Sequence, residues 1–139
     1  MAETRSRAFS KLAKDVDATG AILGTALSSS ARSDYIQLQQ QGTLSVTTGT
    51  SRWNASDNLT ISEATAYIGE AANSTVRVSI NKNGDSVNSL SITSGQLSKS
   101  NTNEFTMVTG DYLTVDITSV GTGDSTGSDL GLILKYSFD

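Results

Sequence analysis

Asn83-Gly84 is the feature that most limits how this chain folds. A type I′ turn needs positive φ at both central residues, and Asn followed by Gly meets that need with little strain. Alternation flanks the turn on both sides. Thr75 to Asn81 puts Val76, Val78 and Ile80 on one face, and Ser86 to Thr93 puts Leu90 and Ile92 on one face. The pattern predicts a tight antiparallel hairpin with one buried face.

The same period of two recurs along the chain. Thr43 to Thr47 alternates and ends at Gly49. Leu59 to Ser62 alternates and continues toward Tyr67-Ile68-Gly69. Glu104 to Val108 is a further short strand. Tyr112 to Val120 groups Leu113, Val115 and Ile117, and Leu130 to Phe138 groups Leu130, Leu132, Leu134, Tyr136 and Phe138. Tyr35, Ile36 and Leu38 open an extended lead-in, and Gln39-Gln40-Gln41 reads as its solvated end. Seven or eight strands with turn signals between them predict a mainly β protein, an antiparallel β-sandwich. Ser and Thr supply 40 of the 139 residues, while charged residues are 17% and the net charge is −4. That balance excludes a helical bundle and gives no footing for nucleic acid.

One short N-terminal helix precedes the sandwich. Phe9, Leu12, Ala13 and Val16 fall at i, i+3, i+4 and i+7, with Thr4 or Ser6 as N-cap and Gly20 as the C′ residue. About three turns are marginal alone in water, so this helix must pack on something. Arg7, Lys11 and Lys14 lie on its other faces. The division is therefore 1–20 as a docking helix, 21–42 as a Ser-rich connector and lead-in strand, and 43–139 as the sandwich. Phe9, Leu12 and Val16 supply the docking face, and Arg7 and Lys11 set its orientation in an acidic groove. Lys11 and Lys14 interrupt any apolar run of the secretory type, and Ala21-Ile22-Leu23 is far short of a membrane span, so neither export nor a membrane partner is expected.

The chain has no Cys, no His and no Pro. Disulfides, thiolate nucleophiles, imidazole metal sites and the Ser-His-Asp triad are thereby excluded. Its four Glu (Glu3, Glu63, Glu70, Glu104) lack the aromatic surroundings that raise a carboxyl pKa, so no enzyme activity and no cofactor are expected. Asp15 to Gly20 imitates half a calcium loop, but the twelfth position is Ala26 where a bidentate carboxylate is needed. Gly121 to Asp129 is rich in glycine but has no Lys, and a strand follows it. It reads as a flexible loop, not a phosphate cradle. Tyr136 and Phe138 are read as core. Trp53 is either a core plug at a strand start or an exposed stacking platform. Trp53 and Tyr112 are the candidate glycan contacts, provided that one surface exposes both.

Ser6 to Gly20, which runs SRAFSKLAKDVDATG, resembles an N-terminal segment of virion structural proteins from tailed phages of marine bacteria, the cyanophage type. The body is similar to the domain that follows it there. The matching landmarks are Gly42-Thr43-Leu44-Ser45-Val46, Ser51-Arg52-Trp53, Val76 to Gly84, Gly110 to Gly121, and Gly127-Ser128-Asp129-Leu130. The resemblance implies a jelly-roll-like sandwich, often trimeric, that serves in tail fibres, neck appendages and capsid decorations alike. Long fibre proteins carry hundreds of further residues, whereas this chain shows one anchor segment and one sandwich. The expectation is a virion protein made in the host cytoplasm and placed on the particle exterior. A small capsid decoration or cement protein comes first, docked on larger capsid, tail or neck proteins as a homotrimer. A short tail fibre or neck appendage comes second. A carbohydrate-binding module for host-surface glycans is the alternative from another class.

Overall fold

The structure is a computed structural model that describes residues 33–139. Asp34–Asp139 forms one compact unit. The expected docking helix over 1–20 and the connector as far as residue 32 lie outside the described residues. The described part holds nine strands: β1 (Ser33–Thr43), β2 (Arg52–Asn54), β3 (Leu59–Tyr67), β4 (Val76–Lys82), β5 (Asp85–Ile92), β6 (Ser98–Asn101), β7 (Phe105–Met107), β8 (Tyr112–Ser119) and β9 (Ser128–Phe138). The expected lead-in strand is β1, a full member of the first sheet.

Two sheets form. The first has the order β1-β9-β3-β6, with β7 also on β3, and the second has the order β2-β8-β4-β5. The pairings nest. β4 pairs β5, β3 pairs β6 and β7, and β2 pairs β8, all antiparallel. β1 borders β9. The Gly42 amide at the end of β1 meets Asp129 at the start of β9, while Asp34 at the start of β1 acts on Tyr136 near the end of β9, so these two also run antiparallel. The described part of the chain is one long hairpin, with Asn83-Gly84 at its centre, rolled until its arms lie alternately in two sheets. That is a jelly roll.

The centre is built as its residues require. Asn83 has φ 53° and Gly84 φ 93°, and Lys82 faces Asp85 across the turn. A two-residue turn alone would set Ile80 opposite Val87 and aim Ser89 and Ser91 inward. A bulge between Ile80 and Asn81 sets Ile80 opposite Asn88, so Leu90 and Ile92 face the core with Val76, Val78 and Ile80. A second bulge, between Ile61 and Glu63, keeps Ala64 and Ala66 inward on β3. These small residues lie opposite Leu134 and Leu132 on β9, and all four are fully buried. Leu113, Val115 and Ile117 of β8 supply the core of the second sheet.

Three expectations need correction. Thr43 to Thr47 is not a strand. Gly42 at φ 87° ends the pleat, Leu44 turns inward, Val46 is 65% exposed, and Thr47 makes a lone bridge to Ile117. Phe138 is not core, because it lies at the end of β9 and is 43% exposed, edge-on to Tyr136. The count of strands exceeds the seven or eight expected, because neither the three-residue β2 nor β6, the all-polar run Ser98-Lys99-Ser100-Asn101, has an apolar alternation to betray it.

Candidate functional site

The centre of the rolled hairpin is tied to the loop before β8. The Asn83 side chain donates from Nδ2 to Asp111 Oδ1 at 2.8 Å and accepts the Tyr112 amide on Oδ1 at 3.0 Å. The Asn83 amide donates to the Tyr112 carbonyl at 2.9 Å. Asp111 Oδ2 accepts the Val108 amide at 2.9 Å and lies 3.5 Å from Lys82 Nζ, which also donates to the Thr106 carbonyl. The Val108 amide foremost, then the Asn83 side chain and the Lys82 charge, hold the Asp111 carboxyl below the usual carboxylate range. This cluster locks one end of the jelly roll.

Trp53 and Tyr112 do not share a surface. Trp53 is the cross-strand partner of Leu113, whose side chain is fully buried, and it packs half-buried against the core, 6.4 Å from the Tyr136 ring. Tyr112 is the neighbour of Leu113 and therefore points to the opposite face of the second sheet. There it pairs with Asn54, and the Arg52 guanidinium lies 3.9 Å from its ring centroid. The platform needed for a glycan at these two residues is absent, because adjacent strand positions alternate faces. Burial first, and then the Asp34 carboxylate, push the Tyr136 phenol above its usual range.

The Gly121 to Asp129 loop, expected to be flexible, is held by hydrogen bonds. The Asn73 side chain accepts the Thr122 amide at 2.8 Å and donates to the Thr122 carbonyl at 3.1 Å. The Ser125 carbonyl accepts the Asn73 amide, and the Gly127 carbonyl accepts the Leu44 amide. Gly121 is buried here, and a Cβ on it would lie 2.7 Å from Asn73 Oδ1. The reach of Asn73 across to Thr122 has no local signal in the sequence.

The docking residues Arg7, Phe9, Lys11, Leu12 and Val16, and the calcium-like Asp15 to Gly20, lie outside the described residues. Among the described residues, no group of three or more Asp or Glu side chains is placed to hold a metal ion, and no helix is long and apolar enough to cross a membrane.

No protein-family model matches the chain, and no curated protein matches it in sequence. Solved structures do resemble it. A chain of the acid-stable capsid of Helicobacter pylori bacteriophage KHP30 is 12% identical, with a TM-score of 0.50 over 76% of this chain and 87% of that one. The globular domain of a zebrafish complement 1qA protein is 8% identical, with a TM-score of 0.47 over 77% and 96%. A family 35 carbohydrate-binding module from Clostridium thermocellum is 13% identical, with a TM-score of 0.40 over 75% and 90%. The first of these likenesses is one of fold, and at such identity it speaks to the fold alone.

Proposed function

We propose that this chain is a structural protein on the exterior of a tailed phage particle, a small capsid decoration or cement protein. The observation that carries the reading is the closure of the jelly roll. Its described core, from Ile36 to Leu134, is complete within one unit, and the anchor-like run Ser6 to Gly20 precedes that unit in sequence. A compact body and a separate attachment segment are what a bound surface protein needs. The KHP30 capsid chain supports the choice of capsid over neck or tail, since a fold of this kind is used in a phage shell.

In this reading Phe9, Leu12 and Val16 dock on a larger virion protein, and Arg7 and Lys11 orient the contact. The jelly roll self-associates, as a trimer. β2 ends the second sheet, and a strand at a sheet edge is a surface that a second copy can pair with. Several copies per assembly then add avidity to a modest single contact.

The test is cryo-electron microscopy of particles that carry a tagged copy, together with light scattering of the free protein. Tag density repeated over the capsid lattice and a mass three times 14.5 kDa are the expected results. Density at the neck or tail would assign the chain to an appendage instead. Absence from purified particles would overturn the reading.

A further inference from the structure

We infer that the outer face of the first sheet carries a binding cleft for a neutral saccharide, floored by Gly131, walled by Gln39 and Gln41, and bordered by Tyr67. The inference stands apart from the proposed virion role, because every residue it uses belongs to one copy of the described jelly roll. The cleft has a volume of about 360 Å³ and is lined by Gln39, Gln40, Gln41, Asp129, Leu130 and Gly131. Small-molecule sites span roughly 300–1,000 Å³.

Gly131 is the first argument. Glycine inside a strand loses backbone entropy and packs nothing, so it needs a reason. Here the backbone supplies none, since Gly131 is not among the residues with positive φ. Packing supplies none either, since a Cβ built on it meets no atom within 4 Å. What remains is the open space itself, which a side chain would fill. Tyr67 is the direct cross-strand partner of Gly131 and is 47% exposed. Its neighbours Ala66 and Leu132 point inward and are fully buried, so Tyr67 and Gly131 share the outward face. An aromatic ring beside a bare floor suits the C–H face of a sugar ring.

The chemistry of the walls narrows the ligand. Gln39 and Gln41 present amides, each with donors and an acceptor, which match hydroxyls that also do both. Asp129 spends Oδ1 on the Gly42 amide at 2.8 Å and keeps Oδ2, with only Ser128 Oγ at 3.5 Å. It does so at φ 54°, a costly conformation for a residue other than glycine. Among the described residues no Lys or Arg lines the cleft, so an anionic ligand lacks a counter-charge, and Leu130 is the lone aliphatic lining residue, so an apolar ligand lacks a wall.

The full chain, labelled with ¹⁵N, is titrated with neutral oligosaccharides of hexoses, deoxyhexoses, pentoses and N-acetylhexosamines. Each is taken to ~10 mM, enough to populate a site of millimolar affinity. At least one should move the Gly131 and Tyr67 amides and the Gln39 and Gln41 side-chain amides, saturably. Gly131→Val should abolish the response, and Tyr67→Ala should weaken it about tenfold, near the value of one aromatic contact. An aromatic side chain over a cross-strand glycine also supports a sheet, so melting is recorded with each variant. Gln39→Ala, at an exposed position, should weaken binding at an unchanged melting temperature and serves as the measure if Tyr67→Ala unfolds. The inference is overturned if no sugar shifts these signals, if the shifts centre on Trp53 or Tyr112, if Gly131→Val binds as the parent does, or if a sulfated oligosaccharide binds as well as the neutral ones.

Discussion

Asn88 of β5 and Asn101 of β6 face each other across the gap between the two sheets and exchange amide hydrogen bonds. Asn88 Nδ2 donates to Asn101 Oδ1 at 2.9 Å, and Asn101 Nδ2 donates to Asn88 Oδ1 at 2.8 Å. Asn101 Nδ2 also reaches the Ser89 carbonyl at 3.1 Å. β5 ends one sheet and β6 ends the other, so the pair closes the sandwich where no backbone ladder runs. Asn88 is 5% exposed, and the bulge at Val87 is what turns it inward.

That geometry predicts an asymmetric mutational response. Asn101→Leu leaves the buried Asn88 amide with Asn103 alone at 3.4 Å and should cost about 1–3 kcal/mol. Asn88→Leu combined with Asn101→Leu removes both halves and should cost less than the sum of the single changes. Urea unfolding of the four proteins in the cycle measures this. Strict additivity would mean that the two amides do not act as a pair.

Gly84→Val should destabilise by about 1–3 kcal/mol, because φ 93° is a conformation that a β-branched residue rarely adopts. The loss should be global, since this turn lies at the centre of every nested pairing. Calorimetry should show one cooperative transition at lower temperature, not a separate early melting of β4 and β5.

Asp111 gives stability a pH dependence. Its folded pKa lies below the usual carboxylate range, with the Val108 amide as the largest cause. The unfolded chain therefore binds the proton more readily. The contribution is present above the unfolded pKa and is lost as the pH falls through the folded one. Thermal melting of the parent and of Asp111→Asn from pH 7 down to pH 2 tests this. The gap between the two should be widest above about pH 4 and should narrow below it.

Two glycines should respond in opposite ways. Gly121→Ala drives a Cβ to within 2.7 Å of Asn73 Oδ1 and against the Ser125 backbone, and should cost about 1–3 kcal/mol. Gly131→Ala meets open space at an ordinary φ and should be neutral or gain up to about 1 kcal/mol. Chemical denaturation of both variants checks the contrast.

A chain that begins near Gly24 keeps the whole of β1 and all of the described core. It should retain its far-UV β signature and cooperative melting, and should fail to rebind stripped particles that the full chain rebinds. Unfolding of the shortened chain would place the N-terminal segment in the core. Rebinding would shift the attachment away from Phe9 and Leu12.

Much of the fold was legible locally. Val76, Val78 and Ile80, then Asn83-Gly84, then Leu90 and Ile92 specify a hairpin and its buried face within eighteen residues. The bulge was missed: a two-residue turn and these two apolar sets disagree in parity by one, and the structure reconciles them with an inserted residue. Other features left no trace. The polar run of β6 becomes a strand because β3 offers it a ladder, and Asn101 gains its meaning from Asn88, thirteen positions back. Trp53 and Tyr112 looked like partners by residue type, and their register on β2 and β8 sends them to opposite faces. The cleft at Gly131 likewise exists because β1, β9 and β3 lie side by side, and the triple glutamine that walls it reads in sequence as an ordinary strand end. Period and turn chemistry are properties of neighbouring residues, so the sequence alone determined that strands form here and which faces they bury. Which strands meet is settled by burying those faces together. That choice is made among segments far apart in the chain, and it decides every site that more than one strand builds.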